Sequence, residues 1–219
     1  AVSEEKIFVG GMSADSEGLV NAIKNFPEQG KKDFIKRYKR KEGLIYLFSG
    51  QIVERKGVKY LLAAWTEHIK QHTNDTLVLI GYGDLYDRFK AQYSDEPSIF
   101  LEGRVDYDDV YKYYAIADVF VLPTIEDNWS LVIPEAMACG LPIATSIYNG
   151  CYPELVKKDI NGITFDTFKQ ESIVEALEYF HHKDLNVLGR NSIKLEKPFN
   201  TYNCAQREYE AIITAVNRQ

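Results

Sequence analysis

Between residues 44 and 165 the chain alternates two hydrophobic patterns. Short apolar runs end at glycine, proline or serine, and stretches with apolar residues every three or four positions follow them. The runs lie at 44–48 (LIYLF), 76–80 (TLVLI), 98–101, 119–122, 141–146 and 160–165, and they predict six strands. After the first run, Val58, Leu61, Leu62, Trp65 and Ile69 recur at helical spacing. Further helices are predicted at 85–93, 106–115, 131–138, 170–181, 185–195 and 201–216. Asp106 and Ser130 stand where two of these helices need an N-cap. A strand that is apolar throughout has no face for water, so the sheet must be covered on both sides, as parallel sheets are. The expected fold class is α/β, a doubly wound parallel sheet of about six strands with C-terminal helices. Ligands in such sheets bind beyond the carboxyl ends of the strands. The loops to inspect therefore begin at Ser49, Gly81, Gly103, Pro123 and Ser146.

The first 43 residues break this rhythm. Residues 6–9 predict a strand stopped by Gly10-Gly11, and residues 31–41 hold seven Lys or Arg against one Asp. Such a run is a solvated helix or, in a sharper reading, a surface that meets acidic lipid or another domain. At 45% hydrophobic and 26% charged the chain has the composition of a folded globular protein. Its net charge of −6 argues against nucleic acid as a partner, because phosphate backbones need a basic surface. No apolar run approaches the roughly 20 residues of a membrane span, and Ala1-Val2-Ser3-Glu4-Glu5 does not open like a secretion signal. The expected location is cytoplasmic, with peripheral contact at the inner membrane if the basic run meets lipid. Cys139, Cys151 and Cys204 are odd in number and lack a CxxC spacing, so they read as reduced thiols. His68 and His72 could share a helix face, but no third ligand is evident nearby, and no metal site is expected.

Three loops carry candidate chemistry. Ser49 to Gly57 (SGQIVERKG) follows a predicted strand and opens a helix; its glycines allow close approach, and Arg55 and Lys56 are cations suited to a diphosphate. A basic surface loop would look similar. Asp127 to Gly140 begins after the fourth strand. With Ser130 as N-cap, the amides of Leu131 and Val132 would point into the cleft as anion donors. Glu135, one turn further, is a carboxylate that can accept from both hydroxyls of a ribose, or simply an acid near a helix N-terminus. Asp127 can accept from sugar hydroxyls, or make an Asx turn. The third loop runs from Ser146 through Asn149 and Gly150 to Glu154.

Taken in order, these segments resemble the carboxy-terminal domain of family 4, or group 1, retaining GT-B glycosyltransferases. The family pattern of Gly-Arg, a loop and Lys-Gly corresponds to Gly50-Gln51 and Lys56-Gly57; its Gly-x-Gly to Gly81-Tyr82-Gly83; and its Phe-x-Gly-x-Val to Phe100 through Val105, with one extra residue. Its apolar strand ending in Pro-Ser corresponds to Ala117 through Thr124. Its Glu-x7-Glu and Ala-Met-Ala-x-Gly-x-Pro correspond to Asp127 through Glu135 and Ala136 through Pro142. The resemblance covers about 44–165. It implies that Lys56 binds the donor diphosphate, that Glu135 binds the ribose, and that Asp127 holds the transferred sugar. It also implies that Arg104 and Val105 border the nucleobase, and that Gly50, Gln51, Arg55, Gly81, Ser130, the Leu131 and Val132 amides, Asn149 and Gly150 complete the donor site. The implied organisation is a linker and N-terminal segment at 1–43, a nucleotide-sugar-binding Rossmann-like domain at 44–200 and a C-terminal helix at 201–219, with the acceptor-binding domain absent from the chain.

The implied function is transfer of a hexosyl group, with retention, from a nucleotide-diphosphate sugar to a glycan or lipid-linked acceptor, as in polysaccharide biosynthesis. No metal and no other cofactor is expected, and the chain by itself is expected to be inactive. Gln51 stands where the family has Arg, and Asp127 where it has Glu. These departures keep a second reading open, a non-catalytic nucleotide-sugar-binding or interaction module. Two other motifs carry little. Asp106-Tyr107-Asp108 matches the metal-binding DxD of another glycosyltransferase class but sits at a helix start. Gly81-Tyr82-Gly83 lacks the third glycine of a dinucleotide fingerprint, since position 86 is Tyr.

Overall fold

Each of the six apolar runs forms a strand. β1 (Ile45–Ser49), β2 (Thr76–Ile80), β3 (Ile99–Gly103), β4 (Val119–Leu122), β5 (Ile143–Ser146) and β6 (Gly162–Phe165) make one sheet in the order β3-β2-β1-β4-β5-β6. Every neighbouring pair is parallel. The computed structural model describes residues 12–38 and 43–217; the strand expected at 6–9 and the end of the basic run lie outside them. Every residue of β1, β2, β4 and β5 is buried, whereas the edge strands β3 and β6 are partly exposed. This is why the central strands are mostly apolar, with their few polar residues, Ser49, Thr76, Thr145 and Ser146, small and buried at strand ends. The order reverses between β1 and β4, which opens a crevice at their carboxyl ends.

The helices are α1 (Ser16–Lys24), α2 (Glu28–Ile35), α3 (Val58–His68), α4 (Tyr86–Gln92), α5 (Tyr107–Ile116), α6 (Val132–Ala138), α7 (Tyr152–Leu155), α8 (Gln170–Glu178), α9 (Leu185–Glu196) and α10 (Thr201–Asn217). None is long and apolar enough to cross a membrane. α1 was not legible in the pattern. Asp15 caps it, accepting from the Gly18 amide at 3.0 Å, and it packs on α5 and α6. α2 covers only the start of the basic run, and none of its residues is fully buried, as a solvated helix requires. Two of the core aromatics satisfy their polar tips: Trp65 Nε1 donates to Ser98 Oγ at 2.9 Å, and Tyr46 Oη donates to the Leu177 carbonyl at 2.7 Å.

Several expected boundaries move, each for a local reason. Leu141 is not in β5, because its amide returns to the Ala136 carbonyl at the end of α6. Residues 160–161 form a turn before β6, entered through Asp159 with a φ of 62°. The helix expected at 170–181 tightens after Glu178 into a 3₁₀ turn, Tyr179–His182, which buries Phe180 near Tyr46. Asp106 occupies the N-cap of α5 without accepting a capping bond. Ser130 is not the N-cap of α6. It is turned into the protein at 3% exposure, and Leu131 takes the N-cap position in helical conformation with no side-chain cap.

Candidate active site

The chain leaves β1 through Gly50 and Gln51, makes a 3₁₀ turn at Glu54–Lys56 and enters α3 through Gly57. Gly57 has a φ of 67°, and a Cβ there would stand 2.0 Å from the Pro123 carbonyl oxygen. Only glycine lets the loop after β4 lie against this turn. The contact is then locked. The Ile125 amide and Thr124 Oγ1 both donate to the Arg55 carbonyl at 2.9 Å, and Thr167 Oγ1 donates to the Pro123 carbonyl at 3.1 Å. The lock brings together two side chains 71 residues apart: Lys56 Nζ donates to Asp127 Oδ2 in an ion pair, with the side chains 12% and 11% exposed. Burial pushes the Asp127 carboxyl up. The hydrogen bond from Lys56, the Lys56 charge, the nearby Ser130 hydroxyl and the Trp129 amide outweigh this and leave it below the ordinary value.

A second close approach shapes the neighbouring crevice. A Cβ on Gly81, whose φ is 129°, would lie 1.9 Å from the Gly50 carbonyl oxygen. The Gly50 amide donates to Ile80 at 3.1 Å and the Gly81 amide to Gly103 at 2.7 Å, so the ends of β1, β2 and β3 draw together. Between them lies a cleft of about 250 Å³, lined by Gly50, Gln51, Ile80, Gly81, Tyr82, Arg104, Val105 and Val110. Its wall is partly apolar and its rim carries an amide and a guanidinium. It suits a flat ring more than an entire sugar nucleotide, for which roughly 300 Å³ or more is usual.

Glu135 sits one turn into α6. Tyr114 Oη, from α5, donates to its Oε2 at 3.1 Å. Burial raises the Glu135 carboxyl; the Tyr114 bond opposes the rise and the negative charge of Asp15 adds to it. Residues 12–15 cross nearby, with the Met12 carbonyl accepting from Trp129 Nε1 at 3.1 Å and Asp15 from Tyr107 Oη at 3.5 Å. Asn149 is fully buried and its side chain is used inside its own loop, donating to Thr145 Oγ1 at 3.1 Å and accepting from the Cys151 thiol at 3.2 Å. The Gly150 amide donates to the Asp127 carbonyl at 2.7 Å. This third loop therefore supports Asp127 from beneath. Gln51 and Arg55 are exposed, with Arg55 Nη2 donating to Gln51 Oε1 at 3.4 Å. Leu131 and Val132, half-buried, open α6.

The structure thus gathers the expected residues at one end of the sheet, in two adjoining groups: the cleft with Arg104 and Val105, and the Lys56–Asp127 pair with its supporting loop. Sequence reasoning missed Tyr114, Thr124 and Thr167. Each acts across at least 20 positions of chain, on an atom no local pattern marks.

The protein family described as glycosyl transferases group 1 matches residues 29–195, well over half the chain. An uncharacterized glycosyltransferase of Methanocaldococcus jannaschii is 34% identical over 120 residues, 53% of this chain and 30% of that protein. The UDP-Gal:alpha-D-GlcNAc-diphosphoundecaprenol alpha-1,3-galactosyltransferase of Escherichia coli is 26% identical over 77% of this chain and 44% of its own length. The chain spans less than half the length of either relative. Among solved structures, a glycosyltransferase from Rickettsia africae superposes with a TM-score of 0.78 at 18% identity, over 95% of this chain and 57% of that one. The C-terminal domain of a group 1 family protein from Francisella tularensis superposes with a TM-score of 0.67 at 19% identity, over 82% of this chain and 97% of that domain. At these identities the structural likeness speaks for the fold.

Proposed function

The chain belongs to the group 1 glycosyltransferases and has the fold of the carboxy-terminal domain of a GT-B enzyme, and from this we propose that it binds the donor, a nucleotide-diphosphate sugar, for retaining transfer of a hexosyl group to a glycan or lipid-linked acceptor. The observation that carries the reading is the Lys56–Asp127 pair, held at the crevice beside a ring-sized cleft. Breaking the bond from sugar to diphosphate builds negative charge on the leaving phosphate. A pre-positioned ammonium in a site poor in water stabilises that charge without reorganising. Lys56 is such a group. On binding it exchanges its carboxylate partner for phosphate, which releases Asp127 to accept from sugar hydroxyls. Glu135, kept in place by Tyr114, accepts from the ribose. The base enters the cleft between Gly81 and Arg104. Neither acid needs to act as nucleophile; both position the donor. Arg55 takes the cationic place that Gln51 leaves open, and the donor needs no metal.

The galactosyltransferase relative is named for a UDP sugar and a diphosphoundecaprenol acceptor. It supports a lipid-linked acceptor for this chain, and with it work at a membrane surface, which we place on the cytoplasmic side. The acceptor is then held by another domain, and this chain alone binds donor without turnover. The exposed Gln51 favours the second reading, a binding module that no longer transfers.

Calorimetric titration with UDP, GDP and ADP, with and without chelator, tests the proposal. The expected result is one preferred nucleotide, bound equally well with chelator and lost in Lys56→Ala and Glu135→Ala. Binding that survives both substitutions would overturn the assignment. Donor binding with no transfer by the longest form of the protein would favour the second reading.

A further inference from the structure

All four histidines of the chain gather in one place, at the end of the sheet opposite the nucleotide cleft. His68 ends α3, His72 follows it, Asp75 precedes β2, and His181 and His182 lie in the 3₁₀ turn after α8. His68 Nε2 and His181 Nε2 stand 2.8 and 2.7 Å from the same atom, Asp75 Oδ2. The other oxygen, Oδ1, is fixed by the Leu44 amide at 2.8 Å. The His72 ring stacks on His181 at 3.7 Å and on His68 at 4.8 Å. His68 and Asp75 are 1% exposed at the side chain, and His181 is 19% exposed, so the cluster is closed inside and reachable from one side.

We propose that His68, Asp75 and His181 bind one divalent transition-metal ion of the zinc class. Two imidazole nitrogens that converge on one carboxylate oxygen supply a three-ligand set for such an ion, and imidazole selects it over magnesium or calcium. The three ligand atoms lie within 4.8 Å of one another. Tetrahedral ligands about 2.0–2.1 Å from zinc stand roughly 3.3 Å apart, so the nitrogen–oxygen gaps open by about half an ångström, and the two nitrogens, within 4.8 Å of each other, settle to the same spacing. The ion replaces the protons that the two rings now share with Asp75. Water entering beside His181 completes the shell, and the Leu44 amide orients the carboxylate as outer-shell donors do. His68 Nδ1 is buried without a hydrogen-bond partner, which leaves the ring free to adjust its tautomer. The ion would tie α3, the start of β2 and the turn after α8, joining positions 106 residues apart. The site is structural and does not depend on the glycosyltransferase reading.

The test uses the purified chain without affinity-tag histidines, stripped by chelator and dialysed. It is titrated with Zn²⁺ by calorimetry and with Co²⁺ by visible absorption. One equivalent should bind at about micromolar Kd or tighter, raise Tm and give the intense Co²⁺ bands of a tetrahedral site. His181→Gln, at a partly exposed position that keeps the Leu44 contact, should weaken binding by about 100-fold, and Asp75→Asn by at least as much, while His182→Gln leaves it unchanged. Nucleotide affinity should not respond to the metal. Absence of stoichiometric binding, or unchanged binding in His181→Gln, would overturn the proposal. So would loss in His72→Gln with His181→Gln intact, which would place the ion in the overlapping set His68, His72 and Glu178.

Discussion

Neutralising Asp127 should tighten binding of a plain nucleoside diphosphate, while removing its partner Lys56 should weaken it. The two side chains form one ion pair with little exposure, so a phosphate must displace the carboxylate to reach the ammonium. In Asp127→Asn that competitor loses its charge. A carboxylate about 6 Å from a phosphate charge repels it by roughly 0.7 kcal/mol at a water-like dielectric and roughly 2.8 kcal/mol at an effective dielectric of 20. Affinity for the preferred diphosphate should therefore rise by about 3- to 100-fold, most strongly at low salt. In Lys56→Met a charge-assisted bond to phosphate is lost, worth about 1.5–3 kcal/mol, or roughly 10- to 150-fold. With the complete sugar nucleotide the gain in Asp127→Asn should shrink if Asp127 accepts from sugar hydroxyls as proposed, because the amide is the weaker acceptor. Calorimetry of both variants with the diphosphate and its sugar nucleotide reads all four numbers. Weaker diphosphate binding in Asp127→Asn would refute the exchange, since Asp127 would then be holding Lys56 in place for the ligand and not competing with it.

Gly57→Ala combines a left-handed conformation, costing about 1–2 kcal/mol, with a Cβ driven into the Pro123 carbonyl, costing about 1–3 kcal/mol. Tm should fall by about 5–15 °C, and a thermal melt showing no loss would remove the lock between the β1 and β4 loops. If Glu135 accepts from the ribose as proposed, nucleotide affinity should fall as pH drops through its raised pKa, above its ordinary 4.5, because the carboxylate is then protonated. Tyr114→Phe removes the bond that opposes the rise and should move this midpoint upward; titration at several pH values checks both. The Lys56–Asp127 contribution to folding is also lost in acid, but over a lower pH range. The Asp127 pKa is lowered, so its stabilisation is complete above the ordinary 3.8 and is lost as pH falls through the folded value, which acid unfolding of wild type against Asp127→Asn would show.

The central strands were legible because burial on both faces leaves a run such as 77–80 (LVLI) no polar position. Boundaries were less so. Leu141 is as apolar as its neighbours, and only its bond to Ala136 takes it out of β5. Ser130 has the composition of a cap, yet burial beside Asp127 overrides that preference. At the candidate site, Lys56, Asp127 and Glu135 are marked by residue type and spacing. Tyr114 is not, since a tyrosine on a helix reads as core until the fold sets it against a carboxylate. The histidines show the same limit. His68 and His72 are a visible i, i+4 pair, but Asp75 and His181 come from a loop and a turn that only the fold joins to them.

The segment leading into α1 touches the loop after β4 through the Trp129 indole, and the main-chain amide of the same Trp129 favours the Asp127 carboxylate. One residue thus links two places by two different atoms. Linkage makes such a connection reciprocal. If a ligand at Asp127 changes how firmly Met12 is held, then the position of residues 12–15 changes the affinity for that ligand by the same factor. Whatever sets the course of the chain upstream of α1 therefore has leverage on the loop after β4 without touching Asp127.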